Sequence, residues 1–440
     1  VNIYVAEMRF FRALEYFNKI QLLGDVPWLE VDLNVDSEEL YGPKMKRNQV
    51  FQKIIEDLDF AIQWLPEAGS EEANRLNKDI ARHVKARFCL NEGTHYKYHD
   101  ELEYASEAEK WLQMAATESD KLITSGRYEI YNTGHPQEDY FNMYRIDDKS
   151  DLKEAVLYVD YKTNILEHNM AAAGREAGCG FSKSFVESFL CSDGLPISLS
   201  NKYLGDETMR KETANRDPRL KQLILTNDFP TNVTDDLKDS TFVVNEDEFI
   251  TQHCFTGYRP IKGFNPIYSQ ALYMKSSFDG IAYRYAETLL INAEAKAELN
   301  TITNADLDRT VNQLRDRVGM PHLTVNVGFT DPKWPDWGYS LSPILQEIRR
   351  ERCIELAGEG FRFNDLKRWK AGKVLNNVLT YVGKRKPDGN LAIVYPNYTN
   401  PDLSYQAGKS RTWEDKMYLY PIPTGELQRN PQLLPQNPGW

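Results

Sequence analysis

The sequence predicts a mainly α-helical protein, a scaffold of tetratricopeptide-like helix pairs broken by an irregular, loop-rich part with short strands. Three observations carry this expectation. Apolar residues recur at helical spacing in four successive stretches before residue 126, and again between residues 283 and 370. Between residues 127 and 282 the pattern changes to short extended runs separated by turn signals. The 440 residues are ample for a sizeable apolar core.

The helices follow in order. Ala6, Phe10, Ala13, Leu14, Phe17, Ile20 and Leu23 form one stripe, ended by Gly24, Asp25 and Pro27. Trp28 and Leu29 continue as an extended connection. Val50, Ile54, Leu58, Ala61, Ile62 and Leu65 form the next stripe, stopped by Pro66. Asn77 is placed to cap a third helix with Ile80, Ala81, Val84, Phe88 and Cys89 on its face and Gly93 closing it. Ala105, Ala108, Leu112, Ala115, Ala116, Leu122 and Ile123 form a fourth, closed by Gly126. Small residues such as Ala13, Ala81 and Ala116 let neighbouring helices approach closely. The repeat consensus is degenerate.

The middle of the chain reads differently. Residues 154–161 read as a strand, as do residues 242–244, with turns at Asp193-Gly194, Gly205-Asp206 and Pro230. An irregular region inside a helical protein is where ligand loops usually lie. Helices return at residues 283–299, 304–318 and 344–369. A final edge strand is expected from Tyr418 to Ile422, stopped by Pro423. The expected organisation is an N-terminal helical scaffold over 1–126, an irregular ligand-binding region over 127–282, returning scaffold helices over 283–370 and a loop-rich tail over 371–440, all within one unit.

Composition excludes several functions. The net charge of −12, with no basic block, argues against nucleic acid. No apolar run approaches the roughly 18 residues needed to span a bilayer. No hydrolase elbow, zinc-protease, phosphate-loop or dinucleotide motif occurs, so no cofactor is expected. The five cysteines lack paired metal spacing. Cys89 and Cys353 read as small buried apolar residues, whereas Cys179 and Cys191 are close enough in sequence for a disulfide. Among the histidines, His95 and His99 come nearest to a metal pair, with a plain surface pair as the simpler reading. Residues 147–151, DDKSD, lack the glycine and terminal glutamate of a calcium loop and read as a solvated loop. No metal is expected.

The stretch from Ile344 to Trp369, ILQEIRRERCIELAGEGFRFNDLKRW, reads as two helices around a sharp break. Ser342 and Pro343 open it, and Gly358 and Gly360 break it. Its charge density admits two readings, a solvated face or arginine–carboxylate pairing across the hairpin. Neither is catalytic, because so many arginines would keep every carboxylate ionised.

This stretch resembles the late signature of the SusD/RagB family of nutrient-binding outer-membrane lipoproteins of Bacteroidetes. Arg349, Arg350, Glu351, Glu355, Glu359, Gly360, Arg362, Asp365, Arg368 and Trp369 carry the resemblance as a structural motif. Residues 6–27, 283–299 and 418–440 resemble the family's early helix, central helix and C-terminal end, and Asp193-Gly194-Leu195-Pro196-Ile197 its D-G-x-P-I turn. The resemblance implies a non-catalytic binding protein, lipid-anchored at the cell surface, that captures an oligosaccharide. It would deliver the ligand to a TonB-dependent, SusC-like transporter. The chain opens at Val1 with a helix running by Ala6, so the anchor and further residues are expected to precede it.

The ligand residues are sought among aromatics, because a flat ring stacks on a sugar face at low entropic cost. Trp334, Trp337 and Tyr339 lie in a polar, proline-containing loop where no helix period buries them; a loop folded back as a plug is the alternative. Tyr203, Tyr258, Tyr268 and Trp28 are further platform candidates, with Phe255, Phe264 and Tyr273 weaker ones. The irregular region contains no tryptophan, which leaves room for a peptide or another nutrient. A glycoside hydrolase and a helical protein–protein adaptor are the alternatives of other classes.

Overall fold

The computed structural model describes residues 1–70, 74–170, 180–227, 229, 232–233, 239–240, 249, 254–265, 267–393 and 411–440. The expected strand at 242–244 and Cys179 lie outside them. The chain divides into two compact units, one of residues 1–122, 365–373 and 413–440, the other of residues 123–364 and 374–412.

In the first unit, α1 (Asn2–Leu23), α2 (Arg47–Trp64), α3 (Lys78–Tyr98) and α4 (Ala105–Ser125) follow the predicted stripes. Gly24, at φ +76°, ends α1. The Asn77 side chain accepts from the Ile80 amide at 3.1 Å and so caps α3. The inward faces lock through aromatic pairs, with Phe17 stacked on Phe88 at 3.6 Å and Phe51 edge-on to Trp111 at 4.8 Å. Gly93 does not close α3, which runs five residues further. A Cβ there would lie 2.9 Å from Leu112 Cγ, so the glycine exists to let α3 and α4 touch. His95 in the last turn of α3 and His99 at its C-cap are buried, with rings stacked at 4.0 Å. This corrects the surface-pair reading. His99 Nε2 is 2.8 Å from the Lys367 carbonyl, and burial pushes His95 well below its ordinary pKa. Among the described residues no cluster of three or more metal-ligating side chains occurs. The strand expected over Tyr418–Ile422 does not form: Tyr418 ends a short 3-10 helix, and the Tyr420 amide reaches back to the Leu22 carbonyl at 2.7 Å.

In the second unit, β1 (Ala155–Val159) pairs antiparallel with β2 (Gly280–Arg284), Ala155 opposite Arg284 and Val159 opposite Gly280. Its longer helices are α5 (Tyr285–Glu298), α6 (Val311–Arg317), α7 (Pro343–Glu355) and α8 (Phe361–Arg368), the last running into residues of the first unit. The helix expected over 304–318 breaks at Arg309 and Thr310 into two pieces. Tyr140, Val186, Phe189, Leu220, Leu223 and Ile354 belong to the apolar core.

Beside that core lies a buried ion network, which decides between the two readings of the signature in favour of pairing. The Glu355 carboxylate accepts from Arg284 at 2.6 Å, from Arg317 at 2.7 Å and from Arg219 at 3.0 Å. Arg284 also donates to Glu359 and Glu154, and Arg219 and Arg315 both donate to Glu351. Arg349 on α7 pairs with Glu298 on α5 at 3.0 Å. Burial would push Glu355 up, but Arg317, Arg284 and Arg219 outweigh it and hold the carboxyl well below its ordinary range. A cluster this extensively paired rigidifies and specifies the packing of α5, α6 and α7.

Candidate functional site

The two tryptophans of the loop differ in burial, and both reach α7. Trp337 is only 5% exposed. Its Nε1–H donates to Gln346 at 2.6 Å, and the Arg349 guanidinium lies 5.0 Å from its ring centre. Trp334 is half-buried, its Nε1–H donating to Glu347 at 2.8 Å, and the Tyr339 hydroxyl accepts from Arg349 at 3.1 Å. Asp331 pins the loop by accepting from Arg350 at 2.6 Å and from Ser198 at 2.7 Å. α7 supplies polar partners for both indoles, which a helical period in the loop itself cannot reveal.

The other candidates separate by burial. Tyr258 is wholly buried, and its hydroxyl donates to Glu212, the partner of Lys183; it belongs to the core. Phe264 is buried and Phe255 half-buried. Tyr203 is half-buried, with the Arg216 guanidinium 5.3 Å from its ring centre. Trp28, in the first unit, is half-buried against Tyr16 at 4.2 Å, with its Nε1–H on Glu30. Two candidates stand in solvent, Tyr268 at 60% and Tyr273 at 74% exposure.

These two tyrosines sit on a built feature. Residues 166–169 run antiparallel to residues 274–278. His168 and Ser276 exchange both backbone hydrogen bonds, at 2.9 and 3.1 Å, and the Met274 amide donates to the Asn169 side chain. A one-turn helix, Tyr268–Ala271, leads into the second strand of this ribbon. The ribbon stands on His168, whose ring packs edge-on to Tyr161 and Phe278 and bonds the Phe278 carbonyl. Burial lowers the His168 pKa, so the ring is neutral at pH 7. Asp279 fixes the base, accepting from the Tyr161 and Lys149 amides at 2.9 Å.

The ribbon exposes Ile165, Leu166, Met170, Leu272 and Met274 beside the two tyrosines. Met170 lies against Gly263, where any Cβ would fall 2.8 Å from its sulfur. Sequence reasoning missed these five aliphatic and thioether positions. They follow neither a helical nor a strand period, and a short apolar run in a loop looks the same buried or exposed. The charges here are matched, Lys275 to Glu167 at 2.9 Å. Such a surface can stack and make van der Waals contact, and its phenolic hydroxyls can hydrogen-bond. It holds no nucleophile–base pair among the described residues.

The loop at 147–151 is held by its own cation. The buried Lys149 ammonium donates to the Ile146 carbonyl at 2.6 Å and the Tyr144 carbonyl at 3.3 Å. Burial lowers its pKa to about 8. Cys191 is a buried free thiol.

Comparison with known proteins gives a consistent result. The profile of the SusD family matches residues 121–440. A SusD-like protein P2 of Formosa agariphila is 24% identical, aligned over the whole of this chain and 74% of its own length. The structure of a SusD-like protein from Bacteroides fragilis superposes with a TM-score of 0.73 at 24% identity, covering all of this chain and 80% of that one. A SusD-like carbohydrate binding protein from the same species superposes with a TM-score of 0.70 at 23% identity, covering 98% of this chain and 80% of its own.

Proposed function

Since the chain belongs to the SusD family, we propose that it is a non-catalytic surface protein that binds an oligosaccharide on the ribbon bearing Tyr268 and Tyr273. The observation that carries this reading is a well-anchored ribbon holding two exposed phenol rings, while Trp337 is buried and Trp334 half-buried. Exposed apolar clusters on a folded protein mark interaction sites. The carbohydrate binding named for the Bacteroides fragilis relative supports a glycan as the ligand class. The mechanism is capture by ring stacking and phenolic hydrogen bonds, with no bond broken. The signature acids Glu351, Glu355 and Glu359 sit in arginine pairs, which suits them to structure rather than to proton transfer.

On this reading the protein is lipid-anchored at the outer-membrane surface and hands its ligand to a SusC-like, TonB-dependent transporter. No helix among the described residues is long and apolar enough to cross a membrane. Recovery of a TonB-dependent transporter with the tagged, native-length protein from detergent-solubilised outer membranes tests the partnership. Absence of any transporter in that complex removes it.

The ligand is tested by isothermal titration against a panel of oligosaccharides and peptides. Tyr268→Ala and Tyr273→Ala are each expected to weaken glycan binding by about three- to tenfold, with thermal stability unchanged. Trp334→Ala is expected to leave it intact. A glycan affinity that survives the double tyrosine variant rejects the ribbon as the site. A second reading, an apolar peptide as the captured nutrient, is favoured by the five aliphatic and thioether side chains around the two rings. Heat of binding from peptides alone would select it.

A further inference from the structure

The connection from α1 to α2 contains a strand with no sheet. Residues 29–36 read Leu-Glu-Val-Asp-Leu-Asn-Val-Asp, apolar at every odd position and polar at every even one. Such alternation is the signature of a half-buried β-strand. In the structure this segment is neither helix nor strand. It runs with a bend at Val31 and ends in a turn where the Ser37 amide donates to the Asn34 carbonyl. Glu30, Val31, Asp32 and Leu33 make no backbone hydrogen bond among the described residues.

The ends of the connection are nevertheless fixed. Val26 and Met45 exchange both backbone hydrogen bonds at its root, at 3.2 and 3.0 Å. The Leu29 amide donates to the Tyr16 hydroxyl, and the Tyr41 carbonyl accepts from Gln432. Between these anchors the apolar side chains face water, with Val31 at 55%, Leu33 at 38% and Val35 at 83% exposure. A tethered segment with free ladder groups, strand-forming residues and unburied apolar side chains has the properties of an edge awaiting a neighbour.

We propose that residues 29–35 add as a strand to the edge of a partner protein's sheet, and that the partner strand alternates apolar residues with lysine or arginine. Charge selects this occupant. Glu30, Asp32 and Asp36 line one face of the added strand, and Leu29, Val31, Leu33 and Val35 line the other. A second copy of the chain is disfavoured. In an antiparallel pair, residues directly opposite share a face, so every register that keeps the apolar positions together sets carboxylates against carboxylates. Glu30 already accepts from Lys53 at 2.9 Å and from the Trp28 indole, and a basic strand meets Asp32 and Asp36 with their counter-charge. Ladder hydrogen bonds give affinity, and the alternating side chains give specificity. This inference is independent of the glycan reading, because the segment belongs to the first unit and the ribbon to the second.

The experiment uses the whole chain and three fluorescent peptides: one alternating lysine with valine, one with glutamate in place of lysine, and one of the lysine composition with its residues in two blocks. The alternating lysine peptide is expected to bind and to slow amide hydrogen exchange across residues 30–33. The glutamate and block peptides are expected to bind at least about tenfold more weakly. Val31→Pro, which removes a ladder donor on an exposed loop, is expected to weaken binding by about tenfold with thermal unfolding unchanged. Val31→Thr, which keeps the donor, is expected to retain it. Should Val31→Pro disturb folding, Leu33→Asp carries the same test. Absence of binding overturns the proposal, as does equal affinity for the block peptide or exchange that stays unprotected at residues 30–33. Protection of these amides by self-association, seen by sedimentation without peptide, overturns it in favour of a second copy.

Discussion

Trp334 and Trp337 sit three residues apart in one polar loop, yet the structure gives them different exposures. Trp337 fills the interior against Arg349 and Gln346, so Trp337→Ala should cost about 3–5 kcal/mol in urea unfolding. Trp334 is half-exposed, and its alanine variant should cost distinctly less. Neither fate was readable from the loop's own composition, because the deciding partners come from α7. Glu355 poses the opposite case, since pairing was one of the two readings its charge-dense stretch admitted. Glu355→Gln leaves Arg219, Arg284 and Arg317 buried without their shared counter-charge and should cost about 3–5 kcal/mol. The same carboxylate makes stability depend on pH. Its folded pKa lies below the ordinary 4.5, so its contribution is complete above pH 4.5 and drains away as pH falls below that value. Thermal unfolding followed down this range should fall less steeply in Glu355→Gln than in the parent protein.

At the scale of elements, α1 to α4 were legible because a single apolar stripe and a terminal cap or glycine define each one. The Asn77 cap and the glycines after α1 and α4 sit where the sequence placed them. Gly93 misled because a glycine in a helical pattern signals either a stop or a close approach, and only the position of Leu112 distinguishes the two. Gly93→Ala should therefore destabilise the protein by about 1–3 kcal/mol despite alanine's better helix propensity, as thermal unfolding would report. Overpacking against the Leu112 side chain and backbone outweighs the propensity gain. The break at Thr310 and the absence of a strand at 418–422 were invisible for a related reason. Short segments take their form from what they pack against. The exposed ribbon was the least legible element, because its pairing is non-local and its apolar residues follow no period.

For the whole molecule, the net charge of −12 bears on what can approach. Uncharged oligosaccharides should bind the ribbon with an affinity that does not change with salt. Sulfated or uronate-rich ones should bind more weakly at low salt and recover as screening rises, a trend that titration at two ionic strengths would reveal. The second unit also separates what folds it from what is proposed to engage a ligand. The residues of the buried ion network, from Glu154 to Glu359, share no position with the seven apolar side chains of the ribbon. A lineage carrying this arrangement can rewrite its ribbon one side chain at a time without placing the fold at risk. The exposed surface can change while ancestry stays legible, and the signature that identifies such a chain is silent about what that surface meets.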